Sequence, residues 1–134
     1  MTPQDAQAWL TQNFAPWVLA LSPRVTGFDA QGAVLTIPVT PDIARVGGIV
    51  CGQAMATLAD TAMVLACAGH LGEFLPVATT NLETRFLAAA RGDSLRCEAR
   101  VIRAGRAMIF AEARLLSDPD GRAVAVASAT FFRP

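Results

Sequence analysis

Polar and apolar residues alternate along much of this chain, and a period of two predicts β-strands. The first two strands cover residues 24–28 and 33–39, and the turn at 29–32 joins them as a predicted hairpin. Four further strands are predicted in the second half of the chain, over residues 80–86, 95–101, 106–116 and 122–132. Turn sequences separate the last three of them, at Ala104-Gly105 and at Asp118-Pro119-Asp120-Gly121.

A long stretch without this alternation lies between the two groups of strands. Residues 52–68 are mostly Ala, Leu, Met and Val, which predicts a helix of about four to five turns beginning at Gly52. The helix is apolar almost all the way round, so other structure must wrap it, and the strands are the only candidates. Asp60 is the only formally charged residue between Arg45 and Glu73.

The first residues predict a short amphipathic helix. Thr2 is a typical N-cap, and Pro3 suits the first turn. The apolar side of this helix comprises Ala6, Trp9, Leu10 and Phe14. Pro16 interrupts it, one more helical turn is predicted over residues 17–21, and we expect the whole segment to be a lid or a packing element over the main body.

The order of elements is helix, two strands, long helix and four strands. No strand-helix-strand unit recurs, so we predict an α+β fold in which an antiparallel β-sheet of about six strands wraps around one long central helix, with a short N-terminal helix. The chain has 134 residues and no linker or internal repeat, which predicts a single domain over residues 1–134.

The composition of the chain limits its possible binding partners and its cellular compartment. Eleven basic and eleven acidic residues cancel, and no basic stripe is present, which argues against nucleic acid. The uncharged segment before Asp60 is too short to span a membrane, and the N-terminus lacks a signal-peptide pattern. Zero net charge with 53% hydrophobic residues favours a homo-oligomer. Three cysteines without a CxxC pair fit reduced thiols in a cytoplasmic protein.

The single histidine, His70, limits the possible chemistry. It rules out an HExxH motif and any metal centre with several histidines, so we predict no metal site. A Ser-His-Asp triad would need this residue, which lies at the expected end of the long helix.

Asp60 has two interpretations. A buried carboxylate can be structural, accepting hydrogen bonds from hydroxyls such as those of Thr57 and Thr61. Burying an unpaired carboxylate also costs several kcal/mol, and proteins tolerate that cost where the group must act as a base or nucleophile. Composition alone does not decide between them.

Two neighbouring motifs carry a resemblance to a known family. Gly48-Ile49-Val50-Cys51-Gly52 leads into Leu58-Ala59-Asp60-Thr61-Ala62, and a strand over residues 79–87 ends in Phe-Leu. Together with Gly105-Arg106 and residues 123–125, this pattern resembles the hotdog-fold acyl-CoA thioesterases of the phenylacetic-acid-degradation (PaaI-like) type. The resemblance covers about residues 27–132.

The resemblance implies a thioester hydrolase whose substrate is an acyl-CoA and which needs no cofactor beyond the coenzyme A of the substrate. The helix carboxylate of the family, its nucleophile or general base, corresponds to Asp60. The glycine at the helix start, whose N–H polarises the thioester carbonyl, corresponds to Gly52. These two residues are about 12 Å apart along one helix, and the family combines one of them from each subunit, so a homodimer or homotetramer is expected.

The same resemblance suggests substrate-binding positions. The common His-Gly-Gly of the family is here Cys51-Gly52-Gln53, and Arg45 stands where Asn or Gln is frequent. Cys51 either packs or offers an activated thiol at the helix N-terminus. Gln53 either donates to the thioester or caps the helix, and Arg45 either binds a ligand carboxylate or phosphate or is solvated.

Three further residues complete the predicted substrate-binding set: Thr61, Asn81 and Arg106. Asn81 lines the site or pairs with polar neighbours on its strand, and Arg106 either grips coenzyme A phosphates or is an ordinary surface arginine. A non-catalytic acyl-CoA or hydrophobic-ligand-binding protein is the alternative function. A hotdog dehydratase or hydratase is less favoured, because only His70 could supply its histidine.

Overall fold

The computed structural model describes residues 1–134 and contains three helices and eight strands. The helices are α1 (Pro3–Asn13), α2 (Pro16–Leu19) and α3 (Gly52–Leu71). The strands are β1 (Arg24–Asp29), β2 (Gly32–Pro38), β3 (Ala44–Arg45), β4 (Ile49–Val50), β5 (Ala78–Phe86), β6 (Ser94–Ala104), β7 (Met108–Asp118) and β8 (Arg122–Phe132). The predicted α+β fold, with a six-stranded antiparallel sheet and one long central helix, is confirmed.

The six long strands form one sheet in the order β1-β2-β6-β7-β8-β5, and every neighbouring pair is antiparallel. Strand β5 lies next to β8 although it precedes β6 in the chain, so it closes one edge of the sheet while β1 closes the other. The short strands β3 and β4 form a separate hairpin just before α3. Both edge strands, β1 and β5, therefore contact the central helix.

The central helix α3 packs mainly on β2, β6 and β7 and touches β5 and β8 more lightly. The inner face of the sheet, which we define as the face toward α3, supplies the large buried side chains Leu35, Ile37, Leu95, Ile109, Leu115, Val124 and Phe131. Because β5 covers α3 only lightly, one stripe of the helix stays half-exposed. That stripe comprises Ala56, Thr57, Asp60 and Val64, and its presence corrects the expectation that the helix is wrapped all round.

The helix runs three residues beyond its predicted end at Ala68. Gly69 lies inside the helix and does not end it. Glycine is needed there because a Cβ would collide with the carbonyl oxygen of Asp29 in the β1–β2 turn. Gly72 is the true C-cap and adopts a left-handed conformation with a φ of 70°. Of an 18-residue window in this helix, 67% is buried inside the fold, although its length and composition alone would suit a membrane span.

The N-terminal helix is capped as its sequence predicts. The Thr2 hydroxyl accepts a hydrogen bond from the Asp5 N–H at 3.1 Å, and the Asp5 carboxylate accepts one from the Thr2 N–H at 2.8 Å. Ala6 and Leu10 of α1 are fully buried in the core. In contrast, α2 has no buried residue and no side-chain cap.

The outer face of the sheet carries paired charges. Arg96 bridges Glu98 and Asp118, Arg114 also pairs with Glu98, and Arg100 pairs with Glu112. These residues alternate along β6 and β7 with the buried side chains of the inner face. The two faces of the sheet are therefore chemically distinct, one apolar and one balanced in charge.

Several predicted boundaries differ from the structure. Strand β7 begins at Met108 instead of Arg106 and continues to Asp118, because residues 105–107 form the turn after β6. The β3–β4 hairpin was not predicted, since each of its strands has two residues and leaves no periodic signal. Gly47 and Gly48 have φ values of 92° and 75°, which a glycine pair allows in its connecting loop.

Candidate functional site

Asp60 lies on the half-exposed stripe of α3, facing the edge strand β5. Its Oδ1 atom accepts a hydrogen bond of 2.9 Å from the Thr79 hydroxyl. Burial raises the pKa of the Asp60 carboxyl above its usual value, and the bond from Thr79 lowers it by a smaller amount. The Asp60 carboxylate therefore binds a proton more tightly than a solvent-exposed aspartate does.

A β-bulge brings Thr79 to Asp60. Leu82 and Phe86 of β5 face α3, so strict alternation would place Thr80 on the same side. The register between β5 and β8 shifts between Thr79 and Asn81, and the Thr80 hydroxyl bonds to the Thr130 carbonyl instead. The extra residue turns Thr79 toward the helix, a typical use of a bulge. Thr79 is absent from the predicted site residues, and alternation alone would not place it on the helix side of the strand.

The first turn of α3 presents unpaired backbone donors. Cys51 is the N-cap and makes no side-chain capping bond. Intrahelical bonding begins with the Met55 N–H, which donates to the Cys51 carbonyl at 3.3 Å. The N–H groups of Gly52, Gln53 and Ala54 precede this ladder, as expected for the first turn of a helix. They lie at the positive end of the helix dipole and suit a developing oxyanion.

Gly52 lies in close contact with Phe86 at the other end of β5. A Cβ at Gly52 would lie 3.1 Å from the Cζ atom of the Phe86 ring and within 3.6 Å of two more ring carbons. The glycine therefore lets the aromatic ring rest against the start of the helix. Phe86 is itself 52% exposed and was not among the predicted site residues.

Gly52 and Asp60 contact opposite ends of the same edge strand, at Phe86 and Thr79 respectively. They are eight positions apart on α3, or about 12 Å along its axis. The protomer does not bring the two groups to one point. Each end of β5 instead contacts one member of the predicted catalytic pair.

A cavity of about 200 Å³ adjoins Asp60. Six of its nine lining residues are hydrophobic, and Asp60 is the only charged one. The N-terminal segment supplies Phe14, Trp17 and Val18, strand β5 supplies Leu82, and α3 supplies Ala56, Thr57, Asp60, Thr61 and Val64. A larger groove of about 790 Å³ lies on the charged outer face and contains none of the predicted site residues.

Three predicted residues lie on α3 near Asp60 or Gly52. Thr61 lines the cavity but is 4% exposed, and its hydroxyl donates to the Thr57 carbonyl at 2.8 Å. Gln53 is exposed in the first turn, and its side chain does not cap the helix. Cys51 is half-buried, and its N–H donates to the Ile43 carbonyl at 2.8 Å.

The remaining three predicted residues lie further from Asp60. Arg45 is exposed in β3 and Arg106 in the turn before β7, and neither forms an ion pair within the protomer. Asn81 is exposed and pairs in register with Thr130, on the strand face opposite Leu82. Their predicted roles in substrate binding stay predictions. No group of three or more His, Cys, Asp or Glu side chains is placed to hold a metal ion.

Comparisons with known proteins identify a family and a shared fold. A family model described as the thioesterase superfamily matches residues 47–124, which include all of α3 and β5. A crystal structure of a protein from the thioesterase superfamily is 28% identical, with a TM-score of 0.89 and coverage of 98% of each chain.

Two more distant structures share the fold. A thioesterase family protein from Silicibacter pomeroyi is 24% identical over 96% of this chain and 95% of its own, with a TM-score of 0.86. Zebra fish thioesterase superfamily member 2 is 22% identical over 98% of this chain and 95% of its own, with a TM-score of 0.83. No curated protein matches the chain.

Proposed function

Because this chain belongs to the thioesterase superfamily, we propose that it hydrolyses acyl thioesters of coenzyme A with Asp60 as its catalytic carboxylate. Family membership supports thioester hydrolysis as the general activity. The acyl-CoA substrate, the role of Asp60 and a site shared between two subunits are the parts that we add.

The hydrogen bonding of Asp60 is the observation that carries the proposal. A structural carboxylate would be expected to accept bonds from its helical neighbours, yet the Thr57 and Thr61 hydroxyls donate to the carbonyls of Gln53 and Thr57, both at 2.8 Å. Asp60 accepts a single side-chain bond, from Thr79 to Oδ1. No protein side chain donates to its second oxygen, which leaves that oxygen available to water or to a substrate.

The proposed chemistry uses the ionised carboxylate. As a general base, Asp60 removes a proton from a water whose oxygen attacks the thioester carbonyl carbon, and the carbon-sulfur bond then breaks to release the coenzyme A thiol and the free acid. As a nucleophile, the carboxylate attacks the carbonyl carbon, and the carbon-sulfur bond breaks to release the coenzyme A thiolate, which takes up a proton from water. Water then hydrolyses the mixed anhydride to the free acid and regenerates the Asp60 carboxylate. Both routes place negative charge on the carbonyl oxygen, where the Gly52 N–H would donate.

A two-fold dimer would bring the Asp60 carboxylate of one subunit close to the Gly52 N–H of the other. Strand β5 is hydrogen-bonded to β8 on one side, and its other edge has no partner within the protomer. If two β5 strands pair antiparallel across a two-fold axis midway between Thr79 and Phe86, the Thr79 end of one lies beside the Phe86 end of the other. Asp60 would then approach Gly52 of the partner subunit.

The surface near this edge favours self-association. Leu82, Phe86 and Leu87 are large apolar residues at or just after β5, with exposed fractions of 36%, 52% and 58% in the protomer. An open strand edge with exposed apolar side chains is prone to pair with another chain. A second copy placed on this edge would pair its free backbone groups and bury its exposed apolar side chains.

Two surface cations could recognise the coenzyme A part of the substrate. Arg45 and Arg106 are exposed, and neither forms an ion pair with a protein carboxylate. A guanidinium can donate two parallel hydrogen bonds to a phosphate. Such contacts would hold the nucleotide outside the cavity while the thioester reaches Asp60.

The test is steady-state release of free coenzyme A, followed with a thiol reagent, across aryl, short and medium acyl-CoAs. We expect turnover on at least one substrate, and a loss of about 10²-fold or more in the Asp60→Asn variant, with the oligomer intact by light scattering. Full activity in the variant would contradict the role of Asp60. Saturable binding of acyl-CoA with no turnover in either protein would favour the ligand-binding function.

A further inference from the structure

The N-terminal segment forms one wall of the cavity beside Asp60. Phe14 follows α1, whereas Trp17 and Val18 lie in α2, and all three line the cavity opposite the α3 stripe. Trp17 is 66% exposed, the largest exposed fraction of any aromatic residue in the protomer. A large indole exposed beside a carboxylate in an apolar cavity is positioned to meet a ligand.

We propose that Trp17 is a specificity-determining residue that limits the acyl group to a compact apolar one; this inference rests on the proposed function. The cavity of about 200 Å³ is smaller than the roughly 300–1,000 Å³ of sites that enclose drug-sized ligands. A short aliphatic or single-ring acyl group fills this volume, and a longer chain would have to extend past Trp17.

The charge of the lining adds a second criterion. Asp60 is the only charged residue of the cavity, and no arginine lines it. An acyl group that ends in its own carboxylate, such as a succinyl group, would place two negative charges in one apolar space. The cavity therefore selects against dicarboxylic acyl groups as well as against long ones.

Within α2, Leu19 packs against the core, whereas Trp17 lies at the exposed surface of the wall. The helix has four residues, none of which is buried, and Ala15 provides no side-chain cap. Phe14 anchors the segment through an edge contact with Trp9, whose ring also stacks on Phe74. Shortening Trp17 should therefore enlarge the cavity while the protein keeps its fold.

The kinetic test compares kcat/KM for butyryl-CoA, decanoyl-CoA and succinyl-CoA in the wild type and in the Trp17→Ala variant. We expect the decanoyl-to-butyryl ratio to rise by about tenfold or more in the variant, since even one methylene changes such ratios by about 10–200-fold. Succinyl-CoA should stay the poorest substrate in both proteins. A ratio unchanged by the substitution would overturn this inference, whereas absence of turnover in the wild type would overturn the proposed function.

A binding test works without turnover. Trp17 is the only tryptophan left in a Trp9→Phe variant, and Trp9 is the only one left in a Trp17→Phe variant. Titration with a non-hydrolysable butyl thioether of coenzyme A should change the emission of the first variant and leave that of the second unchanged. Calorimetrically detected binding of the thioether with no change in Trp17 emission would overturn the inference.

Discussion

The Thr79 hydroxyl donates a 2.9 Å hydrogen bond to the Asp60 carboxylate and so joins the edge strand to the central helix. This bond stabilises the ionised form of Asp60 and opposes the effect of burial, which raises its pKa. The proton affinity of the proposed base therefore depends on a residue of another element, 19 positions further along the chain.

Removing this bond should shift the pH dependence of hydrolysis. In a Thr79→Val variant the carboxylate loses its donor, so its pKa rises further, and the acidic limb of kcat/KM moves to higher pH. Activity is retained above that limb, because the ionised form is the active one. A Thr79→Ser variant, which keeps the hydroxyl, should match the wild type, and an identical limb in the valine variant would contradict the role of Thr79.

The raised pKa of Asp60 also has a consequence for stability. Burial disfavours the ionised form in the folded state, so the contribution of Asp60 to stability is greatest below its unfolded-state pKa and is lost as pH rises through its higher folded-state pKa. We expect Asp60→Asn to raise the free energy of unfolding at pH 7 by up to about 1 kcal/mol, or roughly 2–4 °C in Tm. Thermal unfolding at pH 7 and at pH 3 measures it, and the gain should vanish at the lower pH.

The contribution of the Gly52 N–H to catalysis can be measured with two matched variants. Cys51 is extended, with φ of −68° and ψ of 149°, and this conformation permits a proline at the next position, the first of the helix. Since a Cβ at Gly52 would press on Phe86, both variants carry Phe86→Leu to make room. Gly52→Ala keeps the N–H and Gly52→Pro removes it.

We expect kcat to fall by about 10²–10³-fold in the proline protein relative to the alanine protein, the usual effect of removing one oxyanion donor. Circular dichroism and unfolding curves of the two proteins should agree within about 1 kcal/mol, because proline suits this helix position. Equal kcat values in the two proteins would mean that the Gly52 N–H does not contact the substrate.

Mixing inactive subunits tests whether the site is shared. Asp60→Asn subunits are combined with Gly52→Pro/Phe86→Leu subunits, then unfolded and refolded together. Half of randomly assorted dimers are hybrids, and one of the two sites in each hybrid has both wild-type groups, so about a quarter of the wild-type activity should return. If each subunit built its own site, the mixture would stay as inactive as its components.

Much of the fold followed from periodicity because the two faces of the sheet differ so strongly. The last strand was predicted at its observed bounds, since Arg122 follows a turn and buried residues alternate up to Phe131. The end of α3 was placed too early because Gly69 resembles a helix stop. Its actual role, close packing on the Asp29 carbonyl, is a tertiary contact that no local pattern encodes.

Of the candidate site, the sequence predicted only residues that lie on α3 itself. Asp60 and Gly52 stand out in the sequence as a lone charge and a helix-start glycine. Thr79 does not, because a bulge decides which of two adjacent threonines faces the helix. Trp17 and Phe14 reach the cavity from the far end of the chain, so their proximity to Asp60 emerges only from the three-dimensional structure.

The contrast between α3 and α2 bears on how such a protein can diversify. Most of α3 is buried, whereas no residue of α2 is. Surface substitutions generally change stability by less than about 0.5 kcal/mol, whereas those in a packed core often cost several times more. Substitutions at an exposed α2 position such as Trp17 should therefore change stability little. A lineage can explore new acyl groups there while the helix that holds the carboxylate stays under purifying selection.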